Sequence, residues 1–316
     1  MNTENNNQVL WIIGNEGFIG SNLQEFFSSK YNVVGVSIDK LYVNDDIKSF
    51  STNTNLVDYL VENLNSNSIQ IPQYIVYAAG SGSVPLSVED PMLDFSRNVN
   101  DYYQFLNMIG PLIDDAKLIH LSSAAVYGAK DTASKSSDLI DMSNIASPYG
   151  MHKYLAEQSG QFFSMRHKLK IINLRIFSVY GKGLKKQIGW DLYNKSLKSK
   201  ECLSLMGSGL EQRDWISIDD VSLMIESIFN NDDVWSEAGK VLNCGTGVSS
   251  TVKDYAEIFC EHFGLDKPKF TQIESSGDPS VLVSNINYEK NILSWEPSIS
   301  LKNGLADYFG WLAKDE

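Results

Sequence analysis

The sequence predicts an α/β fold built on a doubly wound parallel sheet. Short apolar runs of strand length alternate with longer segments whose apolar residues recur at helical spacing. A glycine-rich turn joins the first such strand to the first helix. The chain has 316 residues, of which 43% are apolar, so it can bury a core of the size that this fold requires.

The first predicted elements follow each other closely. Val9–Ile13 (VLWII) is apolar throughout, as in a strand that is buried on both faces of a parallel sheet. Phe18–Ser29 carries apolar residues at helical spacing. Asn32–Ile38 (NVVGVSI) is rich in β-branched residues and is predicted to be the second strand, which ends at Asp39.

The same alternation continues along the chain. Tyr74–Ala79, Lys117–Leu121 and Lys170–Arg175 are predicted strands, because each is a short apolar run. Pro91–Ile109 and Pro148–Arg166 are predicted helices, and each begins with a proline, which suits the first helical turn.

The pattern becomes less regular after about Phe177. Segments rich in glycine, serine and lysine appear, with short mixed elements between them. We therefore predict a first domain over 9–176, to which 214–244 returns, and a smaller α/β domain over 177–213 and 245–316 that binds the substrate.

Charge and cysteine content exclude several classes of partner. The net charge is −13, which disfavours nucleic acid and anionic membranes. The three cysteines form no CxxC pair, the four histidines show no metal-ligand spacing, and no apolar run approaches the ~20 residues that span a bilayer. We expect a cytoplasmic protein with reduced cysteines and with no metal, membrane or nucleic-acid partner.

The glycine-rich turn GNEGFIG has the pattern GxxGxxG. Gly14, Gly17 and Gly20 allow a tight turn and the close approach of a pyrophosphate. Phe18 and Ile19 begin the helix, whose N-terminal N–H groups attract anions. The motif predicts a dinucleotide site in a Rossmann fold, although a loop that merely needs glycines is the alternative.

Asp39 follows the second predicted strand, 19 residues after Gly20. A carboxylate there can accept hydrogen bonds from the adenosine ribose and repels a 2′-phosphate, so it favours NAD over NADP. Lys40 comes directly after it and leaves that choice open. Asp39 could also be only a turn residue at the end of a strand.

Tyr149 and Lys153 are four residues apart at the start of a predicted helix, so they share a face. A nearby ammonium is expected to lower the pKa of the Tyr149 phenol, which could then exchange a proton near neutral pH. Ser123 follows the strand Lys117–Leu121, where hydroxyls face the ligand crevice of a doubly wound sheet. An exposed helix pair and a serine-rich turn are the alternatives.

These motifs, GNEGFIG, SSAAVYG and YGMHK, in this order and spacing, resemble the extended short-chain dehydrogenases that act on nucleotide sugars, of which the UDP-galactose 4-epimerases are the best known. The resemblance covers essentially the whole chain. It implies bound NAD and a homodimer. It also implies further cofactor contacts at Asp46, Ile47, Ala78, Ala79 and Asn98.

The resemblance also implies roles for the residues of the reaction. Ser123, Tyr149 and Lys153 would be catalytic, with Tyr149 as the acid and base, and Tyr149 and Lys153 would also contact the cofactor. Ser123 and Ser178 would contact the substrate. Arg213 would hold the substrate diphosphate, a bidentate task that suits arginine.

Several positions depart from the family pattern. Dehydratases usually carry Asp-Glu after the catalytic hydroxyl, where this chain has Ala124 and Ala125, which cannot transfer protons. Many epimerases have asparagine at the place of Ser178 and an arginine near Ser275 and Ser276. Dehydration is therefore disfavoured, and the substrate need not be UDP-galactose.

The sequence favours an NAD-dependent nucleotide-sugar 4-epimerase that works through a transient 4-keto sugar. A nucleotide 4-keto-sugar reductase that consumes NADH or NADPH uses the same tyrosine and lysine and stays open. A dinucleotide-sensing protein without enzymatic activity is the third alternative, against which the intact Ser123, Tyr149 and Lys153 argue.

Overall fold

The structure is a computed structural model, which describes residues 8–37, 39–43, 46–50, 53–66, 68–113, 115–167, 169–198, 203–237, 239–272 and 279–314. Within these ranges no helix combines the length and the apolar character that a membrane crossing requires. The same ranges hold no group of three His, Cys, Asp or Glu side chains arranged to bind a metal ion.

The strands, numbered in chain order, are β1 Val9–Ile13, β2 Asn32–Val36, β3 Lys40–Val43, β4 Asp46–Ser49, β5 Tyr74–Tyr77, β6 Lys117–Ser123, β7 Ser134–Lys135, β8 Lys170–Ile176, β9 Ser178–Tyr180, β10 Ser204–Leu205, β11 Gln212–Arg213, β12 Trp215–Ser217, β13 Lys240–Cys244, β14 Ser250–Thr251, β15 Lys269–Phe270, β16 Val281–Leu282 and β17 Ser284–Asn285. The helices are α1 Phe18–Phe27, α2 Asn53–Asn65, α3 Val84–Glu89, α4 Pro91–Phe95, α5 Asp101–Ile109, α6 Pro148–Arg166, α7 Gln187–Lys198, α8 Ile218–Phe229, α9 Val252–Phe263, α10 Asn287–Leu293 and α11 Leu301–Leu312.

The central sheet has eight strands in the order β4-β3-β2-β1-β5-β6-β8-β13. β1 pairs in parallel with β2 on one side and with β5 on the other, and β5 pairs in parallel with β6. The chain therefore reverses its direction of travel between β1 and β5, which is the switch point where doubly wound sheets bind ligands. The predicted fold class is confirmed.

One edge of the sheet differs from the prediction. β3 pairs antiparallel with both β2 and β4, so a hairpin extends the parallel sheet at this edge. β2 ends at Val36, short of the predicted range, of which Ile38 lies outside the described residues. Asp39 consequently lies in the turn between β2 and β3 and not at the end of a strand.

The predicted helix Pro91–Ile109 has a more complex form than its apolar pattern suggested. It consists of α4, a π-helical turn at Ser96–Asn100 and α5. Short π-helical turns inside helices are frequent at functional sites. The helix Pro148–Arg166 has the predicted bounds and begins with a Ser147 cap, whose hydroxyl accepts a hydrogen bond from the Gly150 N–H at 3.2 Å.

The described residues divide into two compact units. The first comprises those within Met1–Val126, Ser147–Arg175 and Ile225–Leu242. It contains the central sheet except for the last residue of β8 and the last two residues of β13. The second comprises those within Tyr127–Ala146, Ile176–Met224 and Asn243–Glu316. It holds short paired strands together with α7, α9, α10 and α11.

His120 is buried in the first unit, on β6. Its Nδ1 lies 2.9 Å from Asn173 Oδ1, and its ring stacks on Tyr102 with centroids 4.3 Å apart. Burial, with a smaller contribution from the charge of Lys153, lowers the pKa of His120 to about 3. The folded protein therefore holds this imidazole in its neutral form.

We expect His120 to make the protein acid-sensitive. Its pKa rises to about 6.5 on unfolding, so its stabilising contribution is complete above pH 6.5 and is lost as the pH falls toward 3, at about 1.4 kcal/mol per pH unit. Urea titrations at pH 7 and pH 5 should show the free energy of unfolding of the wild type falling by about 2 kcal/mol more than that of His120→Gln. Equal losses in the two proteins would contradict this account.

Candidate active site

The glycine-rich turn is folded against the segment that follows β5. The Gly14 N–H donates to the Val36 carbonyl at 2.6 Å. Gly14 has φ +90°, and a Cβ on it would lie 2.6 Å from Ala79 N. A Cβ on Gly20 would lie 2.2 Å from the Gly14 carbonyl oxygen. Both glycines are thus required by backbone approaches that no other residue permits.

Gly17 stands at the start of α1 and has a different environment. It is exposed, it caps the helix without a side chain, and a Cβ on it would meet only the Gly14 carbonyl within 4 Å, at 3.2 Å. Phe18 and Ile19 form the first turn, so the N–H groups there are not covered by a capping side chain. This open, capless helix start fits the pyrophosphate of a dinucleotide.

The predicted catalytic residues come together in the first unit. Ser123 ends β6 and Tyr149 is in the first turn of α6, and the Ser123 hydroxyl lies close enough to the phenol to influence its pKa. Ser123 Oγ also accepts the Ala125 N–H at 3.2 Å. Lys153 is buried one turn beyond Tyr149, and its Nζ donates to the Leu121 carbonyl at 3.0 Å.

The pKa of Tyr149 differs from the expectation. Burial raises it to about 12, while the neighbouring Ser123 side chain lowers it in part and the charge of Asp94 raises it further. The predicted lowering of this pKa is therefore wrong for this structure. The physical reason is that desolvation of a phenolate outweighs the stabilisation that its neighbours supply.

Asn98 is placed in the π-helical turn by contacts that the sequence did not reveal. Its Oδ1 accepts the Ser81 N–H at 3.2 Å, and its Nδ2 donates to Asp94 Oδ1 at 3.0 Å. The second oxygen of the fully buried Asp94 lies 2.7 Å from His152 Nδ1. A chain of polar contacts thus connects Asn98 to the helix that carries Tyr149.

A buried ion pair fixes the same helix to the sheet. The Glu157 carboxylate accepts two hydrogen bonds from Arg175, from Nε at 2.9 Å and from Nη2 at 2.7 Å. It also accepts the Ser122 hydroxyl at 2.6 Å. Glu157 is two turns beyond Tyr149, so these contacts orient the helix that carries the phenol.

The other predicted cofactor residues occupy the same unit. Ala78 and Ala79 follow β5, and the Ala78 N–H donates to the Ile13 carbonyl at 2.8 Å. Asp46 and Ile47 lie exposed on the edge strand β4. Ile47 pairs with Tyr42 across the ladder and so shares its face, whereas Asp46 points to the opposite one.

Arg213 and Ser178 belong to the second unit. Arg213 is 6% exposed, and its Nη1 donates to the carbonyls of Gln212 and Pro279, each at 2.8 Å. Ser178 begins β9, and its N–H donates to the Asp214 carbonyl at 2.9 Å. Ser275 and Ser276, where the family pattern places a second arginine, lie outside the described residues.

Comparisons with known proteins identify relatives of the whole chain. The chain is 25% identical over 315 residues to a putative UDP-glucose 4-epimerase of Methanocaldococcus jannaschii, covering 96% of this chain and 98% of that protein. It resembles the structure of MoeE5 in complex with UDP-glucuronic acid and NAD, with 25% identity, a TM-score of 0.81 and coverage of 98% and 100%.

The fold is also that of the UDP-glucose 4-epimerase of Thermotoga maritima, whose structure matches with a TM-score of 0.78, 24% identity and coverage of 97% and 99%. The model of the NAD dependent epimerase/dehydratase family matches residues 10–245, which is most of the chain. The resemblance that the motifs indicated is confirmed, and the chain belongs to the NAD dependent epimerase/dehydratase family.

Proposed function

We propose that this protein is an NAD-dependent nucleotide-sugar 4-epimerase that works through a transient 4-keto sugar. The convergence of Ser123 at the end of β6 and Tyr149 at the start of α6, with Lys153 one turn away, carries the proposal. The Methanocaldococcus relative, described as a putative UDP-glucose 4-epimerase, and the UDP-sugar and NAD bound to MoeE5 support it.

The chemistry of the side chains follows from their positions. Bound NAD supplies the acceptor and the donor of the hydride. As the phenolate, Tyr149 takes the proton of the sugar 4-hydroxyl while the 4-keto sugar forms, and as the phenol it returns the proton after the 4-keto sugar has rotated in the site. Ser123, beside Tyr149, holds the same sugar hydroxyl. The Lys153 ammonium stabilises the Tyr149 phenolate, which is the form that can accept the proton.

Ala124 and Ala125 limit the reaction to hydride and proton transfer at C4. Both follow Ser123 directly, and neither has a group that can remove or supply a proton for the elimination of water. The first unit, with the glycine-rich turn, would bind NAD. The second unit, with Arg213 and Ser178, would bind the nucleotide diphosphate and the sugar.

The experiment that tests the proposal separates the epimerase from the 4-keto-sugar reductase. Denaturing the purified protein should release NAD, and fresh protein should interconvert 4-epimers within a panel of nucleotide sugars with no added NADH. Turnover that requires stoichiometric NADH or NADPH would establish the reductase. If neither reaction occurs with any 4-hydroxy or 4-keto sugar nucleotide, the result would support the third alternative, a dinucleotide-sensing protein without enzymatic activity.

We expect Arg213→Ala to weaken the binding of a nucleotide diphosphate by at least about tenfold, because hydrogen bonds to charged groups contribute about 1.5–3 kcal/mol. The affinity for NAD should stay unchanged. Because the side chain also donates to two backbone carbonyls, the melting temperature without ligand should fall as well. Calorimetric titration with UDP and a thermal melt measure the two effects.

The stability effect and the binding effect of Arg213 can be separated with Arg213→Lys. Lysine keeps a positive charge but cannot form the bidentate hydrogen bonds that a guanidinium forms with a phosphate. UDP affinities of both variants equal to the wild type would assign Arg213 to structure alone and would remove the diphosphate role.

We also propose a cytoplasmic homodimer, as the family resemblance implies. Large apolar side chains are exposed on neighbouring helices of the first unit, including Met92, Tyr103, Phe162 and Met165. Apolar surface of this kind is typical of a protein interface. Sedimentation equilibrium should give twice the chain mass of 35.3 kDa.

A further inference from the structure

A cluster of polar side chains surrounds Glu16, one of the two residues between the first two glycines of the dinucleotide motif. Glu16 Oε2 accepts the Ser37 hydroxyl at 2.7 Å. Its Oε1 accepts the Lys40 ammonium at 3.0 Å and also the Tyr42 hydroxyl. Three side chains from the end of β2 and from β3 thus hold one carboxylate of the glycine-rich turn.

This cluster lies where Rossmann folds bind the adenosine ribose, at the carboxyl end of the second strand. Ser37 follows β2 directly, and the last residue of that strand, Val36, accepts the N–H of Gly14. The residue at this place is therefore a serine. Asp39 comes two residues later, in the β2–β3 turn, where its carbonyl accepts the Phe50 N–H at 2.6 Å.

Glu16 has the properties of the carboxylate that Rossmann folds usually place at the end of the second strand, where this chain has Ser37. Its hydrogen bonds, that from Tyr42 first, lower the pKa of Glu16 to about 2, so it is ionised at physiological pH. A carboxylate offers about four acceptor sites, and the three side-chain donors occupy three, which leaves one for a ribose hydroxyl. The side chain is 45% exposed and hence accessible to a ligand.

Glu16 also changes what Lys40 can do. Lys40 is the cation next to Asp39 that leaves the choice between NAD and NADP open in the sequence. In the structure its ammonium is paired with Glu16. A 2′-phosphate entering the cluster would meet the negative charge of Glu16 and would have to compete with it for Lys40, Ser37 and Tyr42.

We propose that Glu16, rather than Asp39, is the carboxylate that selects NAD over NADP in this protein. It accepts a hydroxyl of the adenosine ribose and keeps the neighbouring cation and hydroxyl donors away from a 2′-phosphate. The inference rests on the proposed NAD-dependent function and assigns the cofactor specificity of that site to a residue of the glycine-rich turn.

Direct binding measurements test the inference without reference to turnover. The full chain, freed of bound dinucleotide, is titrated with NAD and with NADP by calorimetry, and the ratio of the two dissociation constants is compared among variants. Glu16→Gln keeps the shape of the side chain and removes its charge. The ratio Kd(NADP)/Kd(NAD) should fall at least about tenfold, the usual effect of one charged hydrogen bond.

Three further variants sharpen the comparison. Glu25→Gln removes an exposed carboxylate of α1 and should leave the ratio as in the wild type. Asp39→Asn should change it less than about threefold, which is below the effect of one charged hydrogen bond. Glu16→Gln combined with Lys40→Ala should lose the gain in NADP affinity, because that gain depends on the released ammonium. Melting temperatures establish that each variant is folded.

Two outcomes would overturn the inference while leaving the proposed function in place. In one, the wild type binds NAD and Glu16→Gln keeps the wild-type ratio. In the other, Asp39→Asn alone shifts the ratio tenfold or more, which would return the specificity to Asp39. A wild type that binds neither dinucleotide would instead overturn the proposed function and this inference with it.

Discussion

Tyr149→Phe should fold and bind NAD as the wild type does, yet lose nearly all epimerase turnover. The substitution removes only the hydroxyl, which lies beside Ser123 and is the group that we assign to proton transfer. Loss of a positioned acid and base typically slows a reaction by about 10²–10⁴-fold. The measurement is kcat with the sugar nucleotide that the panel identifies, beside an NAD titration of the same protein.

Tyr154→Phe is the matched control. Tyr154 lies on the same helix, and its substitution also removes one tyrosine hydroxyl. Its turnover should stay near that of the wild type. Near-normal turnover of Tyr149→Phe would remove the catalytic assignment. A loss of NAD binding in Tyr149→Phe would show that the phenol serves the cofactor site as well, and the two effects would then be read from kcat at saturating NAD.

Elements with strong local signals could be predicted from the sequence. Helix α6 has the predicted bounds because Ser147 and Pro148 mark its start by their own chemistry. Gly14 and Gly20 were predictable because the backbone approaches that they permit are a property of the motif itself. The positions of Ser123 at the end of β6 and of Tyr149 in the first turn of α6 were predictable from the strand and helix patterns.

Features that depend on tertiary contacts could not be predicted in this way. Nothing near Glu16 in the sequence shows that Ser37, Lys40 and Tyr42 meet it, because the contacts require the hairpin of β3 and β4. The raised pKa of Tyr149 depends on burial, which a YxxxK spacing does not report. The sequence assigns the ribose carboxylate to Asp39, whereas the contacts on which we base the proposal for Glu16 are visible only in the structure.

The contact between the buried Asp94 and the partly buried His152 was missed for the same reason. The two residues are far apart in the chain and meet only because α4 packs beside α6. The one signal that could have found Asp94 is its place in the helix that also carries Asn98, four residues later. Four residues make about one helical turn, so the two side chains share a face.

Breaking the ion pair of Glu157 and Arg175 from one side should strongly lower the stability of the first unit. Both side chains are nearly inaccessible, at 2% and 4%. Glu157→Ala leaves the Arg175 guanidinium buried without its carboxylate, and the Ser122 hydroxyl loses its acceptor. Breaking a buried pair from one side typically costs about 3–5 kcal/mol, so we expect a loss of this size in the free energy of unfolding.

A double substitution separates the charge effect from simple loss of packing. In Glu157→Met with Arg175→Met no charge stays buried, and replacement of a whole buried pair by apolar residues is often neutral. The double variant should therefore be more stable than Glu157→Ala, even though it loses both native side chains and Glu157→Ala loses only one. Gln158→Ala, at an exposed position of the same helix, should change the free energy of unfolding by less than about 0.5 kcal/mol. If Glu157→Ala and Gln158→Ala have the same free energy of unfolding in urea, the ion pair does not hold α6 to the sheet. We would then assign the orientation of Tyr149 to Lys153 and its contact with the Leu121 carbonyl.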